Sequence, residues 1–161
     1  NIDIDIKAGE CGNIIILNGE DVSGLIRTPE VSMGASNVGK IPEVRQKLLQ
    51  LQRKIAANGN IVMDGRDIGT VVLPKADVKI FLTASAEVRA KRRTKELLEK
   101  GQKADYEKVL KEIQQRDYQD THREVAPLKM CRDSIKLDTS ELDIDGVVAA
   151  IRAIVAEKCG V

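Results

Sequence analysis

From residue 42 onward the sequence predicts an α/β domain with a largely parallel sheet. One observation carries that reading, and two more bound it to a single domain that does not cross a bilayer. Helical and strand-like patterns follow one another in the order helix, strand, strand, helix, helix, strand, helix. The 161 residues fit one domain of ordinary size, and 42% are apolar, enough for a core. The apolar runs are short: even Val147 to Ala156 is broken by Arg152, so no run is long enough to span a bilayer.

Residues 1–30 read as small antiparallel strands. Asn1 to Ile6 alternates isoleucine with aspartate or asparagine, Asn13 to Leu17 is a short apolar run, and Asn18-Gly19 is a hairpin-type turn. Residues 31–40 (VSMGASNVGK) are small and polar and read as a loop. Pro42 suits a first helical position. Ile41, Val44, Leu48, Leu51 and Ile55 recur at helical spacing, so a helix is predicted over 42–57, stopped by Asn58-Gly59-Asn60. Ile61-Val62-Met63 is expected to be a short buried strand ending in Asp64-Gly65-Arg66-Asp67. Residues 77–83 form the next strand. Ser85 caps a helix running to about Lys100, which Gly101 stops. A further helix from about Asp105 to Asp120 places Tyr106, Val109, Leu110 and Ile113 on one face. Residues 134–138 are a third strand. Ser140 starts a last helix whose buried stripe is Ile144, Val147, Val148, Ile151, Ile154 and Val155.

Composition excludes several function classes. The 26 basic and 25 acidic residues nearly cancel, so neither nucleic acid nor an anionic membrane is attracted in bulk. Phe81, Tyr106 and Tyr118 are too few to stack single-stranded bases. Cys11, Cys131 and Cys159 form no CxxC or Cys/His cluster, which reads as reduced thiols in a cytoplasmic protein without structural zinc. No secretory signal is legible in the first residues.

Gly34 to Lys40 matches the first seven positions of the phosphate-loop pattern GxxxxGK[ST]. Ile41 stands where the magnesium-holding hydroxyl is needed. The preceding Thr28 to Met33 is not the buried strand that feeds such a loop. The segment reads instead as a small-residue loop leading into the next helix.

Chemistry concentrates at three places. In IVMDGRDIGT (Ile61 to Thr70), a strand end would present Asp64, which can hold a magnesium shell, and Arg66, whose planar fork suits phosphate. Asp67 can accept from an amino group or a hydroxyl; the bland alternative is a capped turn with a surface Arg–Asp pair. Arg89, Lys91, Arg92, Arg93 and Lys95 put five cations into seven residues of one helix. Such repulsion points to an anion, or else to a solvated basic face. Arg116, Asp120 and Arg123 share a helical face if the helix reaches Arg123. They suit a sugar-phosphate, or equally a salt-bridge ladder worth about 0.2–0.5 kcal/mol per pair. His122, the only histidine, reads as a polar helix-end residue. Many arginines and few general bases fit phosphoryl transfer, in which catalysis is largely positioning and charge neutralisation by Arg, Lys and Mg²⁺.

Several stretches closely resemble the bacterial cytidylate (CMP) kinases: IVMDGRDIGTVVLPKADVKIFLTAS, VSMGASNVGKIPEVRQKLLQLQRK, RAKRR, EIQQRDYQDTHREVAPL and ILNGEDVSGLIRTPEV. The resemblance runs from about residue 10 to 155. It implies a P-loop NTPase-like parallel sheet of the nucleoside monophosphate kinase type. Residues 1–58 would be a small antiparallel monophosphate-binding insert and its following helix. Residues 59–161 would be the remaining α/β core, with a short lid near 86–103. The implied reaction moves the γ-phosphoryl group of ATP to CMP or dCMP with Mg²⁺, in pyrimidine nucleotide metabolism, by a cytoplasmic monomer with no nucleic-acid or membrane partner. Carried over by position, Ser36, Arg45 and Asp67 match contacts to cytosine. Arg66 and Arg123 match ligands of the monophosphate, and Arg116 and Asp120 contacts to the sugar. Arg92 and Arg93 match the lid arginines near the transferring phosphate, and Asp64 the strand-end acid.

The family pattern begins with a buried strand and a Walker A loop that residues 1–9 do not supply. Absence of a central strand from a parallel sheet would leave unpaired backbone groups inside costing about 1–3 kcal/mol each, against a total stability of about 5–15 kcal/mol. The expectation is therefore a fragment, not active as the 161-residue chain alone. A non-catalytic pyrimidine-monophosphate-binding remnant is the alternative, and a basic-patch RNA-binding module the weakest reading.

Overall fold

The alternating isoleucines near the start of the chain pair as strands. The computed structural model describes residues 2–10, 12–39, 41–57 and 59–160, with only the backbone of Ala8, Pro29, Ser32 and Ser36. Cys11, Lys40 and the Asn58 helix stop lie outside the described residues. The chain divides into two units, residues 1–58 and 59–161.

In the first unit, β1 (Ile4–Gly9), β2 (Gly12–Leu17) and β3 (Glu20–Asp21) form an antiparallel sheet in that order. Ile6 faces Ile15, and Ile16 faces Asp21. Asn18 (φ 50°) and Gly19 (φ 89°) both adopt the left-handed backbone that a two-residue hairpin turn demands. Asn18 also closes the β1–β2 end: Asp3 N donates to Asn18 Oδ1, and Asn18 N to Asp3 O, each at 2.9 Å.

Residues 31–40 are not the expected loop. Most of them belong to α1 (Pro29–Val38). The start signal lies just upstream: Thr28 Oγ1 accepts from Val31 N at 3.2 Å, Pro29 occupies the first turn, and Glu30 places an acid there. These devices outweigh the weak helix propensity of Gly34 and its small polar neighbours. The same helix disposes of the phosphate-loop match. Backbone N–H groups of residues 34–38 lie within α1, and Gly39 N donates to Ala35 O at 2.8 Å, so they do not converge on an anion. α2 (Pro42–Ala56) follows as predicted, although Ile41 and Leu48 of its apolar stripe remain exposed.

The second unit is mixed α/β with a parallel strand pair. β4 (Ile80–Thr83) and β5 (Ile135–Asp138) pair in parallel, Ile80 opposite Ile135 and Thr83 opposite Asp138. The crossover consists of α3 (Ala86–Glu99) and α4 (Tyr106–His122), which pack on each other, and α5 (Ile144–Cys159) closes the unit. Ser85 and Asp105 cap α3 and α4 by accepting from Val88 N and Lys108 N. Gly101 takes the left-handed conformation (φ 72°) just past α3, the stop its position predicted.

Two expectations fail here. Ile61–Met63 is not a buried strand; Val62 is fully exposed, and among the described residues β4 pairs with β5 alone. An apolar run becomes a strand only when a neighbour accepts its backbone bonds. The last helix starts at Ile144 rather than Ser140, because Asp143 caps it by accepting from Gly146 N at 2.8 Å. Ile144 and Val148, counted in the apolar stripe, are exposed. Among the described residues the buried apolar side chains are Val72, Ala90 and Val109. No helix among the described residues is long and apolar enough to cross a membrane.

Candidate functional site

The carboxyl ends of β4 and β5 finish level with each other, the edge outside which open α/β sheets bind ligands. Thr139 extends the ladder by one step, its N and its hydroxyl both donating to Thr83 O at 2.8 and 3.1 Å. The Ser140 hydroxyl donates to Asp138 Oδ1 at 2.6 Å and accepts from Ser85 N at 3.2 Å, lacing the start of α3 to the end of β5. The Ser140 hydroxyl and then its N–H hold the Asp138 carboxyl below the ordinary carboxylate range.

One acid lies between two arginines. Arg66 Nε donates to Asp120 Oδ2 at 3.0 Å, and Arg116 Nε lies 4.0 Å from the same oxygen. Arg66 is 54 residues away in sequence, on the turn after Gly65, and no helical spacing can reveal its place here. Gly65 is required by close approach: a Cβ there would lie 2.9 Å from Ile68 Cγ1. Ile68 opens a one-turn π-helix, Ile68–Val72, that Asp67 anchors by accepting at its carbonyl from Val71 N and Val72 N at 2.8 and 3.2 Å. Asp64 is exposed and, with no strand before it, is not a strand-end acid.

Arg123 does not share the helical face of Arg116 and Asp120. α4 ends at His122, and Arg123 is extended (φ −66°, ψ 142°). The chain folds back there: Leu128 N donates to Asp120 O at 2.8 Å and Arg123 Nε to Ala126 O at 2.6 Å. The Arg123 Nη2 atom is buried without a hydrogen-bond partner.

The basic cluster on α3 is largely satisfied from within the chain. Arg89 forks onto both oxygens of Asp117, which holds its guanidinium above the ordinary range. Arg92 Nη2 donates to Thr139 O at 2.5 Å and Leu142 O at 2.9 Å. Arg93 Nη1 donates to Glu96 Oε2 at 2.8 Å, and Lys100 Nζ to Glu96 Oε1 at 2.6 Å. In the first unit, Arg45 Nη1 donates to Gly39 O at 3.5 Å. Ser36 lies in α1, and its side chain is outside the described residues.

A family model described as cytidylate kinase matches residues 2–157. The chain belongs to the cytidylate kinase family. It is 54% identical over 156 residues to a protein named cytidylate kinase from Carboxydothermus hydrogenoformans, covering 97% of this chain and 70% of that protein. The cytidylate kinase of Geobacillus sp. strain WCH70 is 51% identical over 160 residues, covering 99% of this chain and 71% of the relative. That of Caldicellulosiruptor saccharolyticus is 52% identical over 151 residues, covering 94% and 67%.

In this member of the cytidylate kinase family, spacing alone pairs Arg116 with Asp120 but misses Asp117, Thr139 and Ser140. Thr139 and Ser140 had a legible signal, since they follow a predicted strand at its carboxyl end. Asp117 had none, because its partner is on another helix. Among the described residues no three His, Cys, Asp or Glu side chains gather as a metal cage. Mg²⁺ on a nucleotide needs only one or two carboxylates beside phosphates and waters, and the exposed Asp64 carboxylate is a donor of that type.

Proposed function

We propose that this chain binds CMP or dCMP and acts in transfer of the γ-phosphoryl group of ATP to it, as a monomer with no nucleic-acid partner. One observation carries the reading: Arg66, Arg116 and Asp120 meet around a single carboxylate oxygen. Two guanidiniums offer donors to phosphate, and the carboxylate between them accepts from sugar hydroxyls. Arg66 and Arg123 are assigned to the monophosphate. The partnerless Nη2 of Arg123 supports this, because a buried donor gains most from an anion. Arg116 and Asp120 are assigned to the sugar, and Ser36, Arg45 and Asp67 to the base.

The transferring phosphoryl group spreads charge over its oxygens, and arginine neutralises it. Arg92 and Arg93 are assigned that role. To act, Arg93 exchanges Glu96 for a phosphate oxygen, one charge-assisted bond for another, and Arg92 leaves the carbonyls of Thr139 and Leu142. Mg²⁺ entering with ATP supplies further neutralisation, and Asp64 is the carboxylate assigned to it. The test is ATP-dependent formation of CDP from CMP by the intact protein, alone and with Arg66→Ala or Asp120→Asn. Turnover that both variants lose supports the reading; no turnover, or turnover indifferent to both, overturns it.

A further inference from the structure

We propose that Arg89 and Asp117 form a positioning pair, a clamp that fixes the helix carrying Arg116 and Asp120 against the helix carrying Arg92 and Arg93. The inference rests on the site assigned above and adds to it two residues that touch no substrate.

The spacing of cations on α3 expects Arg89 to face an anion in company with its neighbours. It faces one alone, and that anion belongs to α4. Arg89 Nη1 and Nη2 donate to the two oxygens of Asp117 at 2.9 and 2.6 Å. Its remaining nitrogen, Nε, donates to Ala84 O at 3.0 Å, one residue past the end of β4. One side chain therefore ties the carboxyl end of a strand, the first turn of α3 and the middle of α4. A two-bond fork sets rotation as well as distance, which a single-point ammonium contact does not.

Its location gives the clamp its consequence. Asp117 follows Arg116 directly and stands one helical turn before Asp120, while Arg89 stands one turn before Arg92. The fork thus joins the two helices at the level where each presents its functional side chains. Both partners are partly open to water, so the pair contributes modestly to stability. Geometry is a different matter, since a misplacement of about 1 Å can cost as much as about 100-fold in rate. Neither Arg89 nor Asp117 takes part in the Arg66–Asp120 bond, so nucleotide affinity should survive loss of the clamp.

The experiment compares Arg89→Lys, Asp117→Asn and the double variant of the intact protein. CMP affinity, single-turnover transfer from ATP and melting curves are measured, with rates corrected to the folded fraction. Transfer should fall by about 10- to 100-fold in each single variant while CMP affinity stays within about threefold. The double variant should be no slower than either single one, because both remove the same contact. Arg89→Lys keeps charge and stem but not the fork, so a failure of lysine to rescue separates geometry from charge. Wild-type rates in Arg89→Lys, parallel losses of affinity and rate, or multiplying losses in the double variant would overturn the clamp. If the wild-type protein transfers nothing to CMP, the reading of the site falls, and the clamp's role in transfer with it.

Discussion

Replacing Asp120 with asparagine separates a binding role from a structural one. The side chain is 20% exposed and that of its partner Arg66 42%. A buried charge-assisted hydrogen bond contributes about 1.5–3 kcal/mol. This pair is partly open to water, and screening reduces its share of stability to about 1 kcal/mol. Arg116, at 4.0 Å, adds a few tenths at most. The amide keeps one acceptor oxygen, so Asp120→Asn should lower stability by about 1 kcal/mol, or about 2–4 °C in Tm for a chain of this size. Affinity should respond more strongly. A carboxylate that accepts from sugar hydroxyls in a closed site loses about 1.5–3 kcal/mol on neutralisation, which is roughly 10- to 150-fold in Kd. Calorimetric titration with CMP and a thermal melt on the same preparation give both quantities. A Tm lowered by a few degrees with a CMP affinity unchanged within about twofold would show a structural salt bridge and no sugar contact.

Three further outcomes are expected. Lys100, and then Arg93, hold the Glu96 carboxyl down to about 2. Because the folded value is the depressed one, Glu96 supports the last turn of α3 above its unfolded titration range, and that support is lost as pH falls toward about 2. An NMR titration of its side-chain carbon with a midpoint in the ordinary glutamate range would contradict this. Gly65→Ala drives a Cβ to 2.9 Å from Ile68 Cγ1 and should cost about 1–3 kcal/mol while displacing Arg66. A variant with unchanged melting and CMP affinity would show that the turn yields freely. The assignment of Ser36, Arg45 and Asp67 to the base expects CMP to be preferred to UMP by at least about tenfold, because groups that pair with the cytosine amino group are left unpaired against uracil. Equal binding would remove all three from the base site.

Local chemistry made much of the fold legible. Asn18-Gly19, Ser85, Gly101 and Pro42 each act through their own backbone or cap, and each marks the boundary it was read to mark. Thr28-Pro29-Glu30 carried an equally local signal, which the small residues downstream obscured. Ile61–Met63 failed for a different reason: apolar content describes what a segment can bury, whereas pairing depends on neighbours that the segment itself does not encode. The site divides in the same way. Arg116 and Asp120 meet one turn apart on a single helix, so their spacing exposes them. Arg66 with Asp120, and Arg89 with Asp117, meet across the fold at separations of 54 and 28 residues. The internal partners of the α3 cations were not legible, because charge density along one helix does not say which carboxylates and carbonyls lie beside it.

Arg92 reaches the segment after β5 chiefly through main-chain oxygens, Thr139 O and Leu142 O, with a longer 3.4 Å bond to the Thr139 hydroxyl. Every amino acid carries that acceptor, so the grip is blind to which side chain stands at position 142. Substitutions there can accumulate without loosening it, whereas inserting or deleting a single residue would carry the carbonyl out of reach. Drift here is therefore constrained in length, while position 142 itself is comparatively free in composition.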